Sequence, residues 1–87
     1  MITRTIYKYP LQIITELELC DPLVVHVGMQ DGEPFVWIQH ANIGFANTKL
    51  TLRVIGTGHQ IPDGTTHVGT FMDAPYVWHC YAERKAL

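Results

Sequence analysis

The sequence contains no serine and only two cysteines, so the commonest nucleophile of hydrolases and the framework of disulfide-rich domains are both missing. Two cysteines are too few for the pattern of small secreted domains, and we expect Cys20 and Cys80 to be reduced thiols. His79 precedes Cys80, but neighbouring residues of a strand point to opposite faces, so these side chains should not pair. We therefore expect a protein that is not an enzyme and uses no cofactor.

Charged residues are also scarce. They make up 16% of the 87 residues, whereas 47% are hydrophobic; typical soluble domains are about 25% charged. A short chain has much surface for its volume, so some of that surface must be apolar, and we expect a second copy to cover part of it in a homo-oligomer. The six scattered Lys and Arg and the net charge of -2 argue against general nucleic-acid binding.

The chain shows neither the charged start and apolar run of a secretory signal nor the roughly 20 apolar residues that span a bilayer. We therefore expect no membrane association and a cytoplasmic location. The five histidines match none of the short metal-binding spacings, which predicts no metal site. A zinc site assembled from distant strands is the alternative.

A hydrophobic period of two dominates the chain, and no segment has a convincing helical period. The pattern predicts one domain over residues 1–87, all-β and mostly antiparallel, with six or seven short strands in a sandwich or small barrel. Asp31-Gly32 favours a tight hairpin turn. Pro34 suggests an edge position or an irregular strand start.

Alternation also predicts which residues face the core. One inward set is Leu50, Leu52 and Val54, and another contains Ile13, Thr15, Leu17 and Leu19, with Glu16 and Glu18 on the opposite, solvated face. In the first arm of the hairpin, one face should carry Leu23, Val25, Val27 and Met29.

The stretch Gly56-Thr57-Gly58-His59, followed by Pro62-Asp63-Gly64, is longer than a minimal hairpin needs. Backbone amides in such a glycine-containing turn can bind an anion. It lacks the following helix of the known phosphate-binding motifs, so a simple connection between strands is the alternative. The residues that we predict to touch a ligand are Arg53, Gly56, Thr57, Gly58, His59, Arg4, Trp37 and Trp78, with Tyr7 as another aromatic that could stack on a base.

Four segments resemble a family of short proteins from tailed bacteriophages and prophages. They are "ITRTIYKYPL", "VIGTGHQIPDG", "HVGTF" and "PYVWHCYAE". The resemblance implies a viral protein that acts in the bacterial host cytoplasm, and it carries over no catalytic residue. In size and strand content the chain is also similar in kind to phage anti-defence sponges, which sequester cyclic nucleotides or cyclic ADP-ribose-type signals without cleaving them.

These features together predict a non-enzymatic homo-oligomer that sequesters a small anionic, nucleotide-derived immune signal. One alternative is a protein-interaction module that inhibits a host enzyme or assembles in the virion. The other is a small phosphodiesterase or metal-dependent hydrolase, which would require converging His and Asp side chains.

Overall fold

The computed structural model describes all 87 residues as seven strands without a helix, which confirms the all-β prediction. The strands are β1 (Arg4–Pro10), β2 (Ile14–Leu19), β3 (Leu23–Gln30), β4 (Glu33–Ala41), β5 (Thr48–Gly56), β6 (Thr66–Asp73) and β7 (Tyr76–Ala86). Sheet A has the order β1-β4-β3 and sheet B the order β2-β5-β7-β6, and every pairing is antiparallel. No helix that could cross a membrane is present.

The inner faces of the two sheets form one apolar core. Ile38 of β4 and Leu50 and Leu52 of β5 are completely buried, and Val54 packs against the same cluster. The predicted inward set of β5 is thus confirmed. Cys80 of β7 is also completely buried, and this burial raises the pKa of its thiol to about 11. Both cysteines are free thiols.

β1 and β2 lie along the same side of the sandwich, one in each sheet. Between them, Leu11 donates its backbone N–H to Pro34 (3.0 Å), and Ile13 accepts one from Val54 (2.9 Å), so the link is held by both sheets. The chain reverses direction between β1 and β2. This is shown by Asp21, just after β2, whose side chain lies 3.8 Å from that of Arg4 at the start of β1.

The hairpin around Asp31-Gly32 joins β3 and β4 as predicted. The edge position suggested for Pro34 is not found, because β4 is the central strand of sheet A. Pro34 is instead the second residue of β4, which agrees with the alternative prediction that it lies at the start of a strand.

The opposite side of the sandwich is closed by contact between β3 and β6. Each of these strands has an irregular register, with the extra residue at Val25 in β3 and at Val68 in β6. Such a bulge reverses the faces of the residues on one side of it. Leu23 therefore lies on the outer face opposite Gln39, whereas Val27 faces inward, which corrects the single face predicted for this arm.

Gly69 lies against Val27 where the two edge strands meet. A Cβ atom at this glycine would overlap Cγ2 of Val27, so the Val27 side chain or the strands would have to move. The absence of a side chain at Gly69 therefore sets how closely the two sheets approach on this side.

We expect Gly69→Ala to lower the free energy of unfolding by about 1–3 kcal/mol, the usual range for overpacking a core. Gly44→Ala is the matched control, since no atom lies within 4 Å of the position of its Cβ and its φ is not in the left-handed region. Urea denaturation of both variants measures the difference. Equal stability of the two variants would contradict the close approach.

Candidate functional site

Residues 57–65, between β5 and β6, form two successive turns. The His59 N–H donates to the Gly56 carbonyl (3.2 Å), and Gly58 between them has a φ of 91°. Such a positive φ is common at the third position of a turn and favours glycine there. The Thr65 hydroxyl closes the second turn by donating to the Pro62 carbonyl (2.7 Å).

The turn leaves two backbone donors free for a ligand. The amides of Thr57 and Gly58 donate no hydrogen bond within the chain, whereas the His59 amide is used inside the turn. Two neighbouring free N–H groups are the element from which a small anion-binding nest is built. The predicted anion contacts therefore remain available at two of the loop positions.

Gly56 brings two aromatic rings together. A Cβ atom at this position would lie 3.1 Å from Cδ2 of His59 and 3.3 Å from Cζ3 of Trp78, so both rings pack directly over the glycine backbone. Trp78 is opposite Gly56 in the pairing of β5 with β7. The register of two central strands thus places Trp78, one of the residues predicted to touch a ligand, beside the loop.

Four side chains form a continuous hydroxyl–imidazole chain on the outer face of sheet B. Thr57 Oγ1 is 3.0 Å from Nε2 of His79, and the other ring nitrogen of His79 is 3.1 Å from the Thr70 hydroxyl. That hydroxyl is 2.9 Å from Nε2 of His67. Each ring nitrogen donates or accepts according to the tautomer. The Thr57 hydroxyl also donates to the Val77 carbonyl at 3.4 Å, which leaves its oxygen to accept a hydrogen bond from a ligand.

Sequence reasoning did not include His67, Thr70 and His79 in the site. In a regular strand, His67 and Thr70 would lie on opposite faces. The bulge at Val68 brings them to the same outer face, opposite Tyr81 and His79 respectively. No residue pattern in β6 predicts that bulge, so the hydroxyl–imidazole chain could be found only from the structure.

The loop separates two clefts. The first, which we call the loop cleft, has a volume of about 200 Å³. It is lined by Ile55, Gly56, Thr57, Gly58, His59, Ile61, His79 and Tyr81. The second, the aromatic cleft, has a volume of about 410 Å³ and is lined by Gly56, Thr57, His59, Pro75, Tyr76, Val77 and Trp78. Three loop residues therefore border both clefts, so one ligand can extend from one to the other around the loop.

Arg53 approaches the loop cleft along β5. It is on the same outer face as Ile55 and lies opposite Tyr81, two residues that line the cleft. Its Nε atom is buried and has no hydrogen-bond partner, and the side chain forms no ion pair. A buried donor without a partner costs free energy, so Arg53 is available to an acceptor from outside the chain.

The other predicted side chains lie elsewhere. Arg4 is in sheet A, opposite Ala41 and beside Asp21. Trp37 is also in sheet A, where its ring packs 5.2 Å from that of His26. Neither residue lines the loop cleft or the aromatic cleft.

Tyr7 is stacked on His40 in sheet A, with their ring centroids 4.6 Å apart, so it too lies away from the loop. No three His, Cys, Asp or Glu side chains converge in a way that would hold a metal ion.

We expect Gly56→Ala to displace the rings of His59 and Trp78, because its new Cβ would contact both too closely. The expected cost is about 1 kcal/mol of unfolding free energy, with shifted NMR signals of both rings. Adding Gly56→Ala to a His59→Ala variant should cost less, since the nearer ring is gone. Equal costs in the two backgrounds would show that the rings do not pack over Gly56.

A model of a domain of unknown function, DUF7352, matches residues 2–86, almost the whole chain. No curated protein and no solved structure matches the chain. The match over this length shows that the chain belongs to the DUF7352 family.

Proposed function

We propose that the protein binds a small anionic, nucleotide-like ligand around the loop of residues 56–59 and sequesters it without cleaving it. The observation that carries this proposal is the pair of clefts that share Gly56, Thr57 and His59, one rich in hydrogen-bonding groups and the other in aromatic rings. A nucleotide has the same two parts, a phosphate and a flat base.

The phosphate would bind on the side of the loop cleft. The free amides of Thr57 and Gly58 supply two donors, and the His79 imidazole lies behind the Thr57 hydroxyl. Arg53 supplies a positive charge without an anionic partner in the chain. Hydrogen bonds to a charged group contribute about 1.5–3 kcal/mol each, so three or four such contacts are enough to hold a small anion.

The base would bind in the aromatic cleft. The rings of Tyr76 and Trp78 are 5.7 Å apart and inclined by 37°, and Tyr76 is 60% exposed. Stacking of a base on an aromatic side chain contributes about 1–3 kcal/mol and accepts any base. The exposed ring of Tyr76 at the edge of the cleft is therefore the expected stacking surface.

The resemblance to proteins of tailed phages supports the proposal that the ligand is an immune signal of the bacterial host. In an infected cell, a protein that removes a nucleotide-derived immune signal would inhibit anti-phage defence. Candidate ligands are cyclic nucleotides and molecules of the cyclic ADP-ribose type, because both combine phosphate with a base.

A protein-interaction module is the second candidate function. It is favoured by the many exposed apolar side chains, among them Ile6, Ile13 and Met72. This function would not need the free amides of Thr57 and Gly58 or the unpaired Arg53.

The test is to incubate the protein with a panel of cyclic nucleotides, remove unbound ligand, denature the protein by heat and analyse the released material by mass spectrometry. Recovery of one ligand intact is the expected result. An altered ligand would indicate an enzyme, and Thr57 and His79 would then be the first candidates for its catalytic residues. If no ligand is retained, the binding proposal is wrong and the interaction module becomes the better explanation.

We expect Arg53→Gln to weaken ligand binding by about 10- to 100-fold, since one charged contact is lost. Lys49→Gln is the matched control, because Lys49 is on the same face of β5 but already pairs with Glu16 at 3.1 Å. Titration calorimetry with the retained ligand measures both. Equal affinities of the two variants would remove Arg53 from the site.

Thr57→Val combined with His59→Ala should abolish uptake of the ligand while the fold survives, because both side chains are exposed. Circular dichroism checks the fold in the same samples. Unchanged uptake would mean that residues 56–59 only connect two strands.

A further inference from the structure

The sandwich has one closed side and one open side. β3 and β6 meet on the closed side, whereas β1 and β2, on the other side, are both edge strands and pack little against each other. We call this second side the open edge. An exposed edge strand presents unpaired backbone N–H and C=O groups, which favour pairing with another strand.

Several side chains of the open edge are partly exposed, although Tyr7 also stacks on His40. Tyr7 lies opposite Ile38, so it is on the core face of sheet A, yet it is 41% exposed whereas Ile38 is completely buried. On the outer faces, Ile6 of β1 is 53% exposed and Ile14 of β2 is 49% exposed. A core-facing aromatic residue is exposed here because no strand follows β1 in sheet A.

Charge is divided between the two strands of the open edge. Residues 1–10 contain Arg4 and Lys8 and no acidic residue, whereas residues 11–21 contain Glu16, Glu18 and Asp21 and no basic residue. Within the chain, Arg4 lies 3.8 Å from Asp21 and Glu16 pairs with Lys49 at 3.1 Å, whereas Lys8 and Glu18 form no ion pair. The open edge therefore consists of one cationic strand and one anionic strand.

We propose that the open edge binds the open edge of a second copy of the chain, with β1 of each copy pairing antiparallel with β2 of the other. The two-fold axis would lie between the two sheets, parallel to the strands. Sheet A of one copy would then continue into sheet B of the other, and three strands joined to four give two sheets of seven strands. Such an interface is self-complementary, as a two-fold axis requires.

The link between β1 and β2 fixes the register. Pro10 ends β1 and Ile14 begins β2 at the same end of the sandwich, so an axis parallel to the strands places Pro10 opposite Ile14 of the second copy. Lys8 then lies opposite Glu16 of the second copy, and Arg4 is diagonal to its Glu18. Opposite charges at these positions of a strand pair stabilise it, whereas like charges destabilise it.

Other pairings of the same edges are less favourable. Pairing β1 with β1 would bring Arg4 and Lys8 of one copy against the same cations of the other. Pairing β2 with β2 would do the same with Glu16 and Glu18. Only pairing of unlike strands matches the charges, which gives the interface its specificity.

This inference does not depend on the proposed ligand. The loop of residues 56–59 lies beyond the pairing of β5 with β2 of the open edge, which ends at Arg53 and Ile14. Dimer formation and ligand uptake can therefore be measured separately on the same samples.

The test uses two charge-reversed variants and analytical ultracentrifugation. We expect the wild-type chain to be a dimer, and both Arg4→Glu with Lys8→Glu and Glu16→Lys with Glu18→Lys to be monomers. An equal mixture of the two variants should form a heterodimer, because each reversed strand then meets its opposite charge. Lys85→Glu, on β7 and away from the open edge, is the control and should remain a dimer.

A covalent cross-link checks the register. Lys8→Cys combined with Glu16→Cys should give a disulfide-linked dimer under mild oxidation, whereas Lys85→Cys combined with Glu16→Cys should not. A monomeric wild-type chain, dimeric charge-reversed variants or a mixture that does not associate would each overturn the proposal. Failure of the Lys8–Glu16 pair to cross-link would overturn its register. Circular dichroism establishes that each variant is folded.

Discussion

The contact between Gly69 and Val27 is the constraint on which both the core and the candidate site depend. It closes one side of the sandwich, and it is possible only because the bulge at Val68 turns Gly69 inward. The same bulge turns His67 outward, onto the face that carries Thr70 and His79. One extra residue in β6 therefore fits an edge strand to the core and assembles the hydroxyl–imidazole chain behind it.

The site is consequently rigid on one side and adaptable on the other. His79 and Tyr81 belong to β7, a strand paired on both sides in sheet B, so their backbone positions are fixed. Thr57 and His59 belong to the loop, which is held by a few turn hydrogen bonds. A ligand that enters between them would bind against the preformed surface of β7, and this limits the entropy lost on binding.

The sequence was sufficient for those parts of the structure that depend on alternation and on turn chemistry. The inward set of β5 and the hairpin at Asp31-Gly32 follow from local patterns, because both depend on neighbours in the chain. Contacts between residues that are distant in the sequence could not be predicted in this way, because they depend on the order of the strands. Of the residues predicted to touch a ligand, Trp78 lies beside the loop, whereas Arg4 and Trp37 were assigned to it without knowledge of strand order and lie in sheet A.

The proposed association with a second copy would explain both the scarcity of charged residues and the open edge. A solitary sandwich of this size needs charged or irregular edge strands to prevent association. Here the edge near β3 is protected by contact with β6, whereas β1 and β2 carry charges of opposite sign, as the proposed pairing with a second copy requires. The division of charge between β1 and β2 agrees better with the proposed pairing than with avoidance of association.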